Sequence, residues 1–239
     1  MRVIQYIVGV CALLAAWSSR ADIGVEHTRI VHSDQHTLMI RVWNRGERDS
    51  LIQSWVDDGN KAEALEHVKV PYVVTAPLLR LGKGRNRDLV IKALSTAQLP
   101  QDRESVFWLN ILDVPARELG ASEELRLDYA VNWRVKLFHR PSGLQGSPAS
   151  SAERLQWRVK RDESGGARLV AANTSPLHVS LSSVRVNGVG LELTPQSALV
   201  RPFSEWEGKM DGVPPESMEV EVHWVDDEGK AQLHKTVVR

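Results

Sequence analysis

Runs in which apolar and polar residues alternate recur along the chain, and a period of two is typical of strands that bury one face. The longest run extends from Leu125 to Phe138. Its apolar positions include Leu125, Leu127, Tyr129, Val131, Trp133 and Val135. Helical periodicity is scarce, with a single helical turn expected at residues 60–67, and glycine, asparagine and aspartate separate the runs. The sequence therefore predicts an all-β protein.

The strand patterns fall into two groups along the chain. About seven strands precede residue 141, which is the number that an antiparallel sandwich needs. Residues 142–151 are rich in proline, glycine and serine, and strand patterns resume after them. We therefore predict two β-sandwich domains, at 22–141 and 152–239, joined by a linker at 142–151. The alternative is that 142–151 form only a long surface loop.

The first residues have the composition of an export signal. Arg2 precedes an apolar run at 3–17, and small residues stand at Ser19 and Ala21. This predicts a signal peptide at 1–21, cleaved after Ala21. The alternative is an uncleaved anchor, although the apolar run is short for a membrane span. The sole cysteine, Cys11, lies in this segment, so an exported domain would depend on core packing rather than on disulfides.

Charge and motifs exclude several classes of function. Cleavage would remove two basic residues, leaving 28 against 30 acidic ones, so a general nucleic-acid surface is not expected. No nucleophile elbow, zinc-protease motif or phosphate-binding glycine loop is present, so we expect no enzyme activity, no catalytic residue and no cofactor. We interpret His27, His32 and His36 as scattered surface residues rather than a metal site, and Asp57–Asn60 as a hairpin turn.

The 125–138 run has two interpretations. It can be an inner-face strand of the chain's own sandwich, and alternation alone favours this interpretation. It can also be an edge strand whose large side chains, about 6.6 Å apart on one face, fill a groove in a partner. An exposed strand edge is an aggregation hazard, and a protein that retains one has a use for it.

Five separated segments decide between these interpretations. They are Thr28-Arg29, Gln53–Trp55, Val74–Leu81, Pro100–Pro115 and Arg134–Pro141. In this order they resemble the motifs of periplasmic pilus chaperones of the chaperone–usher pathway. The resemblance covers most of the first domain and is weaker in the second.

The resemblance implies two immunoglobulin-like β-sandwich domains arranged in an L with a cleft between them. It implies a non-enzymatic periplasmic chaperone that binds and caps pilus subunits and delivers them to an outer-membrane usher. Two basic residues in the cleft would hold the C-terminal carboxylate of a subunit, and the matching positions are Arg29 and Lys136. Guanidinium and ammonium groups both suit a carboxylate. Because the free protein would expose a strand edge, we also expect it to pair with itself as a self-capping homo-oligomer.

The same resemblance assigns two further sets of residues. Odd offsets from Lys136 give the side chains that would be donated to a subunit whose own sandwich lacks a strand: Leu125, Leu127, Tyr129 and Val131. A charged trio across the domain interface corresponds to Glu104, Arg140 and Asp227, with Asp226 a near neighbour of the last. The alternative for the trio is a solvated surface ion pair of little energetic value.

Some residues depart from the family pattern. His139 stands where an aromatic residue such as tyrosine is usual, Ala116 stands where a second proline is common, and the second domain has no disulfide. The compact stretch between Asn110 and Leu125 favours the short-loop subclass, which serves rod or fibre-type pili. The rival hypotheses are an exported adhesion or carbohydrate-binding protein, suggested by the eight tryptophans, and a periplasmic hydrolase. The hydrolase lacks any nucleophile–base motif.

Overall fold

The structure is a computed structural model, and it describes residues 22–60, 68–116, 129–161, 166–195, 197–210 and 215–238. The predicted signal peptide at 1–21, most of the helical turn expected at 60–67, and the donor positions Leu125 and Leu127 lie outside these ranges. No helix in the described ranges has the length and apolarity needed to cross a bilayer.

Nine strands form the described part of the first domain. They are β1 (Ile23–Val25), β2 (Arg29–His32), β3 (Thr37–Asn44), β4 (Ser50–Asp57), β5 (Tyr72–Val74), β6 (Leu78–Leu81), β7 (Asn86–Ala93), β8 (Ser105–Pro115) and β9 (Val131–His139). One sheet has the order β1-β3-β7-β5 and the other the order β2-β9-β8-β4-β6. The pairings are antiparallel except that of β2 with β9, which is parallel.

Alternation along these strands builds the core between the two sheets. Ile40 and Leu89 project into it from the first sheet, and Ile52, Leu109 and Leu137 from the second. Their polar sequence neighbours face outward, as on β3, where exposed and buried positions alternate. This is the arrangement that a period of two dictates for a sandwich with a single apolar interior.

The segment from Ile23 to His32 forms two strands that lie in different sheets. β1 pairs with β3, and β2 pairs with β9 of the opposite sheet. The chain crosses between the sheets over residues 26–28, where the Glu26 amide donates to the Arg41 carbonyl over 3.0 Å. Ile23 and Val25 on β1 and Ile30 on β2 all contact the core, so the inward-facing positions change from odd to even across the crossing. Its consequence is that Arg29 is placed beside β9.

The 142–151 stretch contains a short helix. α1 (Pro148–Glu153) begins after Ser147, whose hydroxyl accepts from the Ser150 amide over 3.1 Å. Proline at the first helical position fits there because its missing N–H would have no helical partner. The segment between the two sandwiches is therefore partly ordered secondary structure rather than an extended linker.

The second domain is also a sandwich. Its strands are β10 (Gln156–Arg161), β11 (Ala167–Asn173), β12 (Val179–Val186), β13 (Val189–Gly190), β14 (Leu199–Val200), β15 (Ser204–Met210), β16 (Met218–Val225) and β17 (Ala231–Val238). The sheets are β10-β11-β15 and β13-β12-β16-β17, with β14 paired to β12. Leu169, Val184, Val220, Trp206 and Trp224 form part of the core. Trp206 and Trp224 are thus buried and do not form a surface for a sugar.

Candidate functional site

Two cations lie side by side where the two domains meet. Parallel pairing of β2 with β9 sets Arg29 opposite Lys136. Arg29 is 8% exposed, and its Nη1 donates to the carbonyl of Val225 in the second domain over 2.7 Å. The Nζ of Lys136 is 3.5 Å from the hydroxyl of Ser180, also in the second domain. The cations belong to the first domain, and the second domain closes the site over them.

The charges of this pair are poorly compensated. In the described part of the chain, neither Arg29 nor Lys136 forms an ion pair with a carboxylate within 4.0 Å. The Nε of Arg29 is buried without a hydrogen-bond partner. Burial, together with the adjacent Arg29 charge, lowers the pKa of Lys136 to about 8. Burial also lowers the pKa of Arg29, against the opposing effect of Asp227, but a guanidinium remains charged at neutral pH.

An aromatic ring supplies part of the missing compensation. Nζ of Lys136 is 5.7 Å from the centroid of the Trp108 ring, and the guanidinium carbon of Arg134 is 4.8 Å from it. Arg134 also donates to Asp57 over 2.9 Å, so its charge is paired. A cation–π contact contributes about 0.5–2 kcal/mol, which is less than the hydration free energy that an ammonium group loses on burial. An anion with two oxygens would satisfy both free cations at once.

Next to this pair, part of one edge of β9 has no strand of the described ranges beside it. β8 pairs with the full length of β9 from Val131 to His139. On the other edge β2 pairs only with Lys136–His139. Within the described ranges, residues 131–135 therefore leave the N–H and C=O groups of that edge available to another strand. Such an exposed edge can pair with a strand of another polypeptide.

Burial of the apolar face of β9 decreases away from the cations. Leu137 and Val135 are sealed in the first domain's own core, and Trp133 packs against it from a partly buried position. Val131 is partly buried, and Tyr129 is 60% exposed. The interpretation as an inner-face strand thus holds for part of the 125–138 run, and donation to a partner stays a prediction. The C-terminal half is an inner-face strand, and the described N-terminal end presents apolar side chains outside the core.

The structure brings the charged trio together across the domain interface. Arg140 Nε donates to Glu104 Oε1 over 2.6 Å, and Nη1 and Nη2 donate to Asp227 Oδ2 and Oδ1 over 2.7 and 2.9 Å. The side chain of Glu104 is 1% exposed. Its other oxygen accepts from the amide and Nδ1 of His178 over 2.7 and 3.0 Å. The geometry is that of a buried bidentate network rather than a solvated surface pair.

The electrostatics of the trio follow from these bonds. Burial alone would raise the pKa of Glu104, but the hydrogen bonds and charges of His178 and Arg140 outweigh it and lower that pKa. Burial would likewise lower the pKa of Arg140, and its bonds to Asp227 and Glu104 raise it instead. Asp226 has a different task, because its carboxylate accepts from the Lys230 amide and the Gln232 side chain.

Several residues of the site carry no sequence signal. Ser180, Val225 and His178 reach it from the second domain, and contacts across an interface depend on how two domains meet. Trp108 lies in one of the five segments, but nothing in its neighbours marks it as a contact of Lys136. Predicting such a contact requires information that links distant positions, since Arg29 and Val225 are 196 positions apart along the sequence.

The fold and the site can be compared with known proteins. Residues 22–145 match the description "Pili and flagellar-assembly chaperone, PapD N-terminal domain", and residues 150–236 match "Pili assembly chaperone PapD, C-terminal domain". The chain belongs to the PapD family of pili assembly chaperones. The predicted recognition and the two-domain immunoglobulin-like fold are thereby confirmed.

Relatives of this PapD-family chain support the assignment along nearly its whole length. It is 35% identical over 211 residues to "Probable fimbrial chaperone YadV" of Escherichia coli K12, covering 87% of this chain and 85% of that protein. It is 32% identical to "Chaperone protein FimB/FhaD" of Bordetella pertussis, covering 96% of each. A solved structure of the Salmonella enterica SafA pilin in complex with the SafB chaperone matches with a TM-score of 0.75 and 26% identity, covering 92% of this chain and 97% of that one.

Proposed function

We propose that this chain is a periplasmic chaperone that binds unfinished pilus subunits in the cleft between its domains and delivers them to an outer-membrane usher. The observation that carries this proposal is the adjacency of two features. An uncompensated cation pair, Arg29 and Lys136, lies beside the unpaired edge of β9 at 131–135. Export with cleavage after Ala21 would bring the chain to the compartment where its family works.

The cation pair binds the C-terminal carboxylate of a subunit. Arg29 has one nitrogen held by the Val225 carbonyl and a free Nε, so its orientation is fixed before a ligand arrives. Lys136 adds a second charge from the adjacent strand. Hydrogen bonds to charged groups contribute about 1.5–3 kcal/mol each. Orientation before binding reduces the entropy that the subunit must lose at the site.

The free edge of β9 then adds to the subunit's sheet. Backbone groups at 131–135 extend the ladder, and alternate side chains at Leu125, Leu127, Tyr129 and Val131 fill the groove left by the subunit's missing strand. Burying each such side chain contributes about 1.5–3 kcal/mol, so four contribute roughly 6–12 kcal/mol before the costs of association. The carboxylate contact fixes the register, because a slip of one residue would turn the apolar set to the wrong face.

The adhesion and carbohydrate-binding alternative gains no support from the tryptophans. Trp206 and Trp224 are buried, and Trp133 and Trp157 pack against the cores of their domains. Trp108 is covered by Arg134 and faces Lys136. These five tryptophan rings are thus engaged within the protein rather than arranged as a platform for a sugar.

Replacing Tyr129 by aspartate tests strand donation. Because Tyr129 is 60% exposed, the free protein should retain its stability, whereas the complex would bury a carboxylate in an apolar groove. We expect at least a tenfold loss of co-purifying pilin, about 1.4 kcal/mol or more. The measurement is recovery from the periplasm after co-expression with a pilin. Met39→Asp, at a 66% exposed position on β3, is the matched control and should leave recovery unchanged. Equal losses in both variants would contradict strand donation.

Subunit binding should weaken in alkaline solution. The pKa of Lys136 is about 8 in the free chain, and a bound carboxylate favours the protonated form. Binding therefore takes up a proton above about pH 8, and affinity falls by up to about tenfold per pH unit there. Calorimetry at about pH 9 in buffers of different ionisation enthalpy should report this uptake. Lys136→Arg, which stays charged, should abolish it. Proton uptake that persists in that variant would assign it to another group.

A further inference from the structure

The short pairing of β2 with β9 carries one pair of facing side chains at each end. At the first position Arg29 is opposite Lys136, and at the last His32 is opposite His139. In the described ranges, β9 is the strand that holds β2 in its sheet. The position of Arg29 therefore depends on a pairing only four residues long. The expectation of a surface histidine is wrong for His32, which is 2% exposed, and His139, the departure from the family pattern, is 3% exposed.

The two imidazoles contact each other directly. Their Nδ1 atoms are 3.3 Å apart and their ring centroids 5.3 Å apart. His32 Nδ1 is also 2.7 Å from the Tyr72 hydroxyl, and His32 Nε2 is 2.6 Å from the Gln35 carbonyl oxygen. His139 Nε2 is buried without a hydrogen-bond partner.

These contacts determine where the protons lie. A carbonyl oxygen only accepts, so His32 carries a proton on Nε2. In the neutral pair, His32 Nδ1 is then an acceptor, to which the Tyr72 hydroxyl and His139 Nδ1–H donate. His139 Nε2 is left with a lone pair that no described group satisfies. One added proton can be placed there or shared between the rings, but a second would put two buried cations in contact.

The groups around the pair do not offset such charge. Tyr72 on β5 is a neutral phenol whose pKa burial raises. Burial and His32 lower the pKa of His139, and Asp34 opposes them more weakly. From β8, Ser105 is the residue opposite His139, and the neighbouring Glu104 is already bound by Arg140 and His178. The exposed His36 lines the same surface cavity.

We propose that His32 and His139 are positioning residues that hold Arg29 beside Lys136, and that protonation of His139 in mild acid separates β2 from β9 and releases the subunit carboxylate. This rests on the proposed function. A second link extends the effect, since the amide of Arg140 donates to the His32 carbonyl over 2.7 Å. Loosening β2 would thus also disturb the residue that joins the two domains.

The direction of the pH effect follows from linkage. A histidine in an unfolded or opened segment has a pKa of about 6.5, and the closed site keeps His139 neutral to lower pH. The opened form therefore binds more protons below about pH 6.5, and the closed form is lost as the pH falls further. Each extra proton contributes up to about tenfold per pH unit.

The test compares a pilin C-terminal peptide bearing a free carboxylate with the same peptide amidated, using the sequence of a pilin that the full chain captures in co-expression. At about pH 7.0 the free acid should bind more tightly, and by about pH 5.5 this advantage should fall about tenfold or more. The peptide carboxyl stays ionised throughout, because its pKa is about 3.3–3.7. His139→Phe should keep the advantage at both pH values, with His139→Tyr as a second variant if the first does not fold. His36→Gln, in the exposed neighbouring loop, should behave as the unmodified chain.

The outcomes separate the two proposals. Equal binding of both peptides at about pH 7.0 would refute the carboxylate anchor itself, and the inference with it. An advantage that persists in acid in the unmodified chain would overturn the inference alone. Hydrogen exchange provides a ligand-free readout, in which protection at residues 29–32 should fall in acid relative to β16, but not in His139→Phe. Unchanged protection at 29–32 would also overturn it.

Discussion

Lys136→Met should abolish recovery of pilus subunits while leaving the free chaperone at least as stable as before. The lysine is partly buried beside Arg29 and has no carboxylate partner in the described ranges, so its removal relieves desolvation and like-charge repulsion. Binding loses one charge-assisted contact, about 1.5–3 kcal/mol, which corresponds to roughly 10- to 150-fold in affinity. Arg29→Ala should lower recovery similarly. Pilin recovery from the periplasm and urea unfolding of the free chaperone measure the two effects.

The control for Lys136 is a cation on the opposite sheet. Arg41 lies on β3 and forms an exposed ion pair with Asp88. Arg41→Met should change neither subunit recovery nor stability by much. Lys136→Arg keeps the charge and should retain part of the binding. Full recovery of subunits by Lys136→Met would show that the cation pair is not the anchor, and reduced stability in that variant would show that the lysine serves the fold.

Arg140→Met should cause the largest loss of stability among single changes at the domain interface. It leaves the carboxylate of Glu104, 1% exposed, without its guanidinium and Asp227 without its bidentate partner. Breaking a buried pair in this way costs about 3–5 kcal/mol, a large part of the roughly 5–15 kcal/mol that stabilises a typical domain. Urea unfolding followed by tryptophan fluorescence should show a lower midpoint, and the transitions of the two domains should separate.

Two variants test the cause of that loss. Arg158→Met breaks an exposed pair with Glu205 and should cost less than about 1 kcal/mol. The double variant Glu104→Gln with Arg140→Met removes the stranded charge and should recover part of the stability. If Arg140→Met costs no more than Arg158→Met, the trio contributes little to the fold. If the double variant is less stable than Arg140→Met alone, the uncompensated carboxylate is not the cause.

Alternation predicts most strands because it reports directly on a buried face. On β3, β4 and β16, buried positions recur at every second residue and mark the strand. In β15 (Ser204–Met210), Gly208 interrupts the apolar phase. A β-carbon at Gly208 would lie 2.3 Å from the Trp206 ring, so the glycine is an inward position covered by its neighbour. A missing side chain at a buried position is invisible to a count of apolar residues.

The parts of the site that depend on long-range pairing could not be derived from periodicity. The resemblance indicated Arg29 and Lys136, and the parallel pairing of β2 with β9 shows why they meet. The same pairing places His32 against His139, a contact that no local pattern contains. Ser180 and Val225 enter the site through the docking of one sandwich on the other, which is set by surface complementarity rather than by local sequence.

The length of the segment that ends at the cations also limits which polypeptides the proposed site can bind. At about 3.3 Å per residue, the chain from Tyr129 to Lys136 spans roughly 23 Å. In the proposed complex, the cations fix one end of this segment, so its length defines how long a bound strand must be. A polypeptide whose last extended segment is much shorter would leave Tyr129 uncovered, and one with its bulky residues in the opposite parity would present polar groups to the groove. In the proposed complex, length and parity, rather than a particular sequence motif, would decide which polypeptides are bound.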